Sequence, residues 1–310
     1  MTIQQLRYIV ALDNHRNFVR ASESCHVAQP TLTLQVKKLE YQISLTLFDR
    51  STQPLKPTPT GEKFIQKARE ILGEIEQLRA LVNDERNSME GTFSIGVIPT
   101  LAPYLLPLFV KEFLTDFPKT KLQIQELQSE EIIEQLEKEQ LDMGLLATPL
   151  NEKNIVETPI FYEPFLVYTD DVEKIRNGKD RISTDDLKPE GIWLLGKGHC
   201  FRNQTLKFCE FDTLEFERNL IMEGGSIETL KPMIKKVSGY TLIPELSYKE
   251  STDKKSIIRF REPQPVREIS IVTHKNFIRE RLVMELRKSI LSNTPDSFRK
   301  NTRFVKVNWR

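Results

Sequence analysis

A chain of 310 residues exceeds the usual size of one hydrophobic core, so two or three domains are expected. No apolar run approaches the roughly 20 residues needed to cross a bilayer, and nothing near Met1 joins a basic region to an apolar stretch, so the expectation is a cytoplasmic protein with no membrane partner. Three cysteines are too few, and odd in number, for a disulfide framework. The net charge of +1 hides a basic head, in which Arg7, Arg16, Arg20, Lys37, Lys38, Arg50 and Lys56 face Asp13, Glu23, Glu40 and Asp49 and leave residues 1–60 at +3 and the remainder at −2.

Thr2 and Gln5 fit a capping box, and Leu6, Ile9 and Val10 give the apolar stripe of a first helix. Asn17 can cap a second, in which Phe18, Ala21, Ser22 and Cys25 fall at helical spacing. Pro30 suits the first turn of a third, with Leu32, Val36 and Leu39 inward and Thr31, Leu34, Lys37 and Lys38 outward. Two short helices with a tight turn, the second polar and basic outside, make the helix-turn-helix pattern, whose second helix enters the major groove of double-stranded DNA. The alternative is a small helical domain with a solvated basic face. Phe48-Asp49-Arg50, then Ser51 to Leu55 and Lys56-Pro57-Thr58, reads as a two-stranded wing, with Arg50 and Lys56 near phosphates where they position the protein without reading sequence. Cys25 reads as a core residue.

Thr58 and Pro59 open a long helix that runs without proline to about Ser88. Its Phe64, Ala68, Ile71, Ile75, Leu78 and Val82 alternate spacings of four and three, a seam suited to pairing with a second chain rather than to packing on the following domain. Beyond Gly91 strands alternate with helices. Strands are expected at Thr92–Ile98, Lys121–Glu126, Leu141–Ala147, Phe165–Tyr168, Ile192–Leu195, Tyr240–Pro244 and Ile269–Thr273. Helices are expected at Pro103–Phe117, Ser129–Glu139, Ile227–Val237 (interrupted near Pro232) and Phe277–Ile290. Such repeats imply mostly parallel sheets in two α/β lobes with a crevice between them.

The segment Gly198 to Cys209 holds two of the three cysteines. On a helix, residues nine apart lie on opposite sides and about 13 Å apart along the axis, whereas a disulfide needs Cα atoms within about 7 Å. A bond between Cys200 and Cys209 therefore requires local refolding. A thiol attacks peroxide as thiolate, and His199, Lys197, Arg202 and Arg267 are candidates for the cationic field that favours it. Cys200 would become a sulfenic acid, and Cys209 is the only other thiol close enough in sequence to condense with it. Phe201, Leu206, Phe208 and Phe211 are expected to pack this region while it is reduced. Two rival readings are a pair of small core residues that happen to lie close together and a zinc site, for which His199, Cys200 and Cys209 supply only three ligands without paired Cys-x-x-Cys spacing. No metal and no cofactor are expected.

The head resembles the winged helix-turn-helix of LysR-type transcriptional regulators along its whole length. The residues that carry the likeness are Ala21, Gln29-Pro30-Thr31-Leu32-Thr33, Lys38-Leu39-Glu40, Phe48, Arg50 and Thr58-x-x-Gly61. The resemblance implies a DNA-binding domain over 1–58, a dimerising linker over 59–90, and an effector domain over 91–310 similar to periplasmic binding proteins. Its lobes would comprise about 91–164 with 268–310, and about 165–267. It adds Gln29, Pro30 and Thr33 to Thr31, Leu34, Lys37, Arg50 and Lys56 as DNA contacts. Ala28 stands where the family often has a capping serine, a loss of about 1 kcal/mol at most.

Gly198-His199-Cys200-x-Arg202-x-Gln204-x-x-x-Phe208-Cys209, with Ile98-Pro99-Thr100 and Pro103-Tyr104-Leu105-Leu106-Pro107, is similar to the hydrogen-peroxide-sensing members of that family. This likeness implies Cys200 as the peroxidatic and Cys209 as the resolving residue, with Thr100, Ser129, His199 and Arg267 orienting peroxide in the crevice. On the residues alone, Thr100 and Ser129 can equally be caps and Arg267 a buried ion-pair partner. Ser129 replaces a threonine of close relatives, and the 170–190 segment also departs from them. The expected protein is a homodimeric or homotetrameric regulator rather than an enzyme, with DNA, peroxide, RNA polymerase and a cellular thiol reductant as partners. The rivals are a regulator that binds a small organic anion in the same crevice and a thiol peroxidase.

Overall fold

The computed structural model describes residues 1–84, 89–211, 225–298 and 303–308, and side chains other than those of 80–84. The chain forms two compact units, Met1–Ser88 with Asn276–Arg279, and Met89–Lys275 with Glu280–Arg310.

In the first unit, α1 (Ile3–His15) begins on the reciprocal Thr2–Gln5 capping box, and α2 (Phe18–Ser24) begins on Asn17, whose side chain accepts from the Val19 and Arg20 amides. Helix α3 (Gln29–Ile43) starts at Ala28 with no side-chain cap and with Pro30 in its first turn. Leu32, Val36 and Leu39 are buried against Ile9, Leu12 and Ala21. The wing is β1 (Phe48–Asp49) antiparallel to β2 (Lys56–Pro57). Gly61 is required where the following helix meets the wing, because a Cβ there would lie 2.0 Å from the Leu47 carbonyl oxygen.

Helix α4 (Pro59–Asp84) departs in part from the expected seam. Ile65 and Ala68 are buried, and Arg69 donates to Asp13 at 2.9 Å, so the first turns of α4 belong to the head's own core. Only from Ile71 onward does the seam emerge: Ile71 and Ile75 are half-buried, and Leu78 is 65% exposed. Val82 lies outside the described side chains.

The second unit comprises β3 (Gly91–Val97), α5 (Ala102–Asp116), β4 (Thr120–Glu126), α6 (Ser129–Glu137), β5 (Met143–Thr148), β6 (Ile155–Thr169), α7 (Val172–Arg176), α8 (Cys200–Cys209), α9 (Ile227–Val237), β7 (Tyr240–Pro244), α10 (Glu250–Asp253), β8 (Ile257–Arg259), β9 (Gln264–His274), α11 (Glu280–Asn293) and β10 (Phe304–Lys306). The strand order is β4-β3-β5-β9-β6-β7, with β8 on β6 and β10 on β9.

The expectation of mostly parallel sheets is corrected here. β3 runs parallel to β4 and β5, but β5–β9, β6–β9, β6–β7 and β6–β8 are all antiparallel. The cause is the pair of long strands β6 and β9, which run antiparallel to each other, with β6 continuing on to pair with β7 and β8. Ile192–Leu195 forms no strand; Ile192 makes a single bridge to Tyr240, and the Trp193 amide donates to the Tyr240 carbonyl. Helix α9 continues through Pro232, because burial of Leu230 and Ile234 on either side holds it while proline forgoes one backbone bond. The last helix starts at Glu280, three residues later than expected.

Candidate functional site

On the head, Gln29, Pro30, Thr31, Leu34 and Lys37 are exposed along α3, and Lys56 is exposed on β2. Two other expected DNA contacts already have partners. The Thr33 hydroxyl donates to the Gln29 carbonyl at 2.9 Å, and Arg50 pairs with Glu40 at 2.6 Å and lies over the Phe18 ring. Glu40 in turn accepts from the Leu47 and Phe48 amides, so it ties the recognition helix to the wing.

The thiol site is assembled from both lobes. Thr100 sits in the turn between β3 and α5, Ser129 is the first residue of α6, and Arg267 lies on β9 directly opposite Glu163 of β6. Arg267 is fully buried. Its Nε donates to Glu163 at 2.8 Å, its Nη1 to the Thr100 hydroxyl at 2.8 Å and its Nη2 to the Thr100 carbonyl at 3.0 Å. Its guanidinium carbon lies 5.2 Å from the Phe201 ring centroid. Glu163, also fully buried, accepts from the Leu246 amide at 2.8 Å; burial raises its pKa, and the Arg267 charge opposes that rise.

Gly198 has φ +95°, and a Cβ there would fall 2.1 Å from the Gln128 side-chain oxygen. That close approach brings the start of α8 against the start of α6. Cys200, the first residue of α8, is 3% exposed and Ser129 is 1% exposed. The Ser129 hydroxyl has no hydrogen bond to protein nitrogen or oxygen, and it is not the cap of α6, whose N-cap is Gln128. It acts on the Cys200 sulfur, where its hydroxyl favours the thiolate.

Burial pushes the Cys200 thiol up, and this outweighs the Ser129 hydroxyl, the Arg267 charge and the backbone amides of Phe201 and Cys200, all of which pull it down. Among the described residues the cation that acts on the sulfur is Arg267, which corrects the expected field of Lys197, His199, Arg202 and Arg267. Burial lowers the His199 pKa and favours the neutral imidazole. Arg202 turns its Nη1 to the Leu195 carbonyl at 2.9 Å, and Lys197 is exposed.

Helix α8 runs unbroken from one cysteine to the other, and all three cysteines of the chain are free. Cys209 is 6% exposed in the second-lobe core, where burial pushes its thiol up to about 12. Phe201, Leu206, Phe208 and Phe211 pack this region as expected, with Phe165 edge-on to Phe201 at 5.0 Å and Phe208 edge-on to Phe260 at 5.3 Å. Among the described residues no three His, Cys, Asp or Glu side chains cluster as metal ligands, and no helix is long and apolar enough to cross a membrane.

Sequence reasoning missed Glu163. Its signal was a lone acid inside the otherwise apolar and aromatic run Ile160 to Tyr168. Also unforeseen was the Tyr104 hydroxyl donating to Glu228 at 3.0 Å, a bond between α5 and α9.

Residues 3–62 match the model of the bacterial regulatory helix-turn-helix proteins of the lysR family, and residues 86–294 match the LysR substrate binding domain. The chain belongs to the LysR family. This LysR-family protein is 34% identical over 276 residues to a hydrogen peroxide-inducible genes activator of Pectobacterium carotovorum subsp. carotovorum, covering 88% of this chain and 90% of that one. It is 33% identical to the DNA-binding transcriptional dual regulator OxyR of Escherichia coli K12, covering 88% and 89%. A solved structure of a full-length OxyR variant from Pseudomonas aeruginosa superimposes with a TM-score of 0.79 at 31% identity, covering 95% of this chain and 99% of that one.

Proposed function

We propose that this LysR-family regulator responds to hydrogen peroxide through Cys200 and Cys209, and that the response changes how paired heads sit on DNA. The observation that carries the reading is the placement of two buried free thiols at the two ends of one helix, the first beside the Ser129 hydroxyl and within the field of Arg267. The names of the relatives at 33–34% identity support the choice of oxidant.

In the first step the Cys200 thiolate attacks one peroxide oxygen. The O–O bond breaks, Cys200 becomes a sulfenic acid, and hydroxide leaves with the proton that the thiol gave up, as water. Thr100, Ser129, His199 and Arg267 orient the peroxide and its leaving oxygen. In the second step the Cys209 thiol attacks the Cys200 sulfur, the S–S bond forms, the S–O bond breaks, and a second water departs. Because about 13 Å of helix separates the two residues and a bridge tolerates about 7 Å between Cα atoms, the second step must unwind α8 and withdraw Phe201 and Phe208 from the second-lobe core. A cellular dithiol restores the thiols by exchange. Linker pairing from Ile71 onward gives the oligomer, and RNA polymerase reads the altered complex.

The test is a pulse of one equivalent of peroxide on the reduced full-length protein, with mass spectrometry of the Cys200 and Cys209 peptides and operator binding measured in parallel. The expected result is one bridge per subunit, a changed footprint, and loss of both in Cys200→Ser. A Cys200→Ser protein that still answers an inducer would instead mark a regulator of a small organic anion, and many turnovers per subunit with excess reductant would mark a thiol peroxidase.

A further inference from the structure

Gln204 lies in the middle of α8 and is fully buried. Its Nε2 donates to the Val307 carbonyl at 2.8 Å, and its Oε1 has no partner. Packing alone does not account for this side chain, since a leucine fills such a space without leaving an orphaned acceptor. Val307 follows β10, is itself buried, and joins the same apolar cluster as Phe201 and Cys209. The strand is fixed independently of α8. Phe304, Val305 and Lys306 pair in parallel with Gln264, Pro265 and Val266, and the Val307 amide donates to the Val266 carbonyl at 2.8 Å. Lys306 pairs with Glu268 at 2.7 Å, and Phe304 stacks on Tyr162 at 4.6 Å. The partner of Gln204 is thus anchored to β9 next to Arg267.

We propose that Gln204 and the β10 segment ending at Val307 form a clasp that keeps α8 wound, and that Gln204 is a positioning residue governing how fast Cys209 reaches an oxidised Cys200. The inference rests on the function proposed above. Gln204 stands four residues after Cys200, on nearly the same helix face, and five before Cys209. Condensation of the Cys200 sulfenic acid with the Cys209 thiol, which forms S–S, breaks S–O and expels water, has to shorten this stretch by about half its axial length. A side chain at its centre cannot follow that movement and stay bonded to a carbonyl held on β9. The bridge therefore breaks the clasp, and Val307 loses its place in the second-lobe core together with Phe201. The 303–308 segment becomes a second place where oxidation is read out.

The experiment compares reduced full-length wild type, Gln204→Met, and a chain ending at Thr302. Each receives one equivalent of peroxide, with rapid-quench mass spectrometry separating sulfenic acid from bridge, and amide exchange following residues 303–308. The expected result is an unchanged rate of sulfenic acid formation in all three and bridging about five-fold faster in Gln204→Met, the factor that one lost neutral hydrogen bond supplies, and at least that much faster in the shortened chain. In wild type, the 303–308 amides lose protection on bridging. The clasp is overturned if bridging keeps its rate while only the melting temperature falls, or if the bridged wild type retains protection at 303–308. The wild-type exchange measurement decides even where a variant does not fold. A wild type that forms no bridge at all sinks the proposed function and the clasp with it, whereas a bridge with retained protection sinks the clasp alone.

Discussion

Replacing Arg267 by methionine removes the guanidinium from a cluster in which neither partner's side chain touches solvent. Methionine keeps most of the buried volume, so the loss is electrostatic rather than a cavity. Glu163 keeps only the Leu246 amide, and Thr100 loses two donors. Breaking a buried pair by removing one member costs about 3–5 kcal/mol, because the other charge is left uncompensated. In a domain of this size that lowers the melting temperature by roughly 10 °C. Glu163→Gln on the Arg267→Met background removes the stranded charge and should recover at least half of the loss.

Reactivity should behave differently. Among the described residues Arg267 is the charged side chain that pulls the Cys200 thiol down, so the double variant stays slow toward peroxide although it is folded. Calorimetry in reducing buffer, paired with rapid-quench kinetics, separates the two effects. A single variant that loses less than about 1 kcal/mol, or a double variant that regains peroxide reactivity along with stability, would refute the reasoning.

Because burial holds Cys200 above the ordinary thiol range, its alkylation rate in the reduced protein should rise about tenfold per pH unit between pH 6 and 8, and a plateau in that window would mean a thiolate already formed. Cys209 has a folded pKa of about 12 against 9.0 unfolded, so it contributes stability that is fully present below pH 9 and lost as the pH rises through 12. Denaturant melts of wild type against Cys209→Ala should diverge by up to about 4 kcal/mol across that window. Leu78→Glu places a charge on the exposed seam and should shift the protein toward monomer in sedimentation, with weaker operator binding. Lys56→Ala should reduce the salt slope of operator binding by about one while leaving sequence preference intact.

What could be read from the chain alone was whatever depends on near neighbours. The capping box at Thr2, the Asn17 cap, the uncapped start at Ala28 and the inward set Leu32, Val36 and Leu39 are all decided within one helical turn. The helical separation of Cys200 and Cys209 follows from counting residues, and α8 has that form. Pairing across the sheet follows another rule. Glu163 and Arg267 are 104 residues apart and meet because β6 and β9 run antiparallel, a direction that strand-helix alternation does not reveal. Proximity in sequence also misled at the thiol. Lys197, His199 and Arg202 flank Cys200, yet the start of a helix sends successive side chains in different directions, and they end at solvent, in a desolvated neutral state and on the Leu195 carbonyl. The charge that acts on the sulfur comes from β9, and the hydroxyl beside it comes from α6 in the other lobe. The sulfur's own segment supplies it with backbone amides and no charge. The side chains that favour its thiolate are Ser129 of α6 and Arg267 of β9, so a substitution that moves either away from the sulfur should raise the thiol pKa further and slow its alkylation.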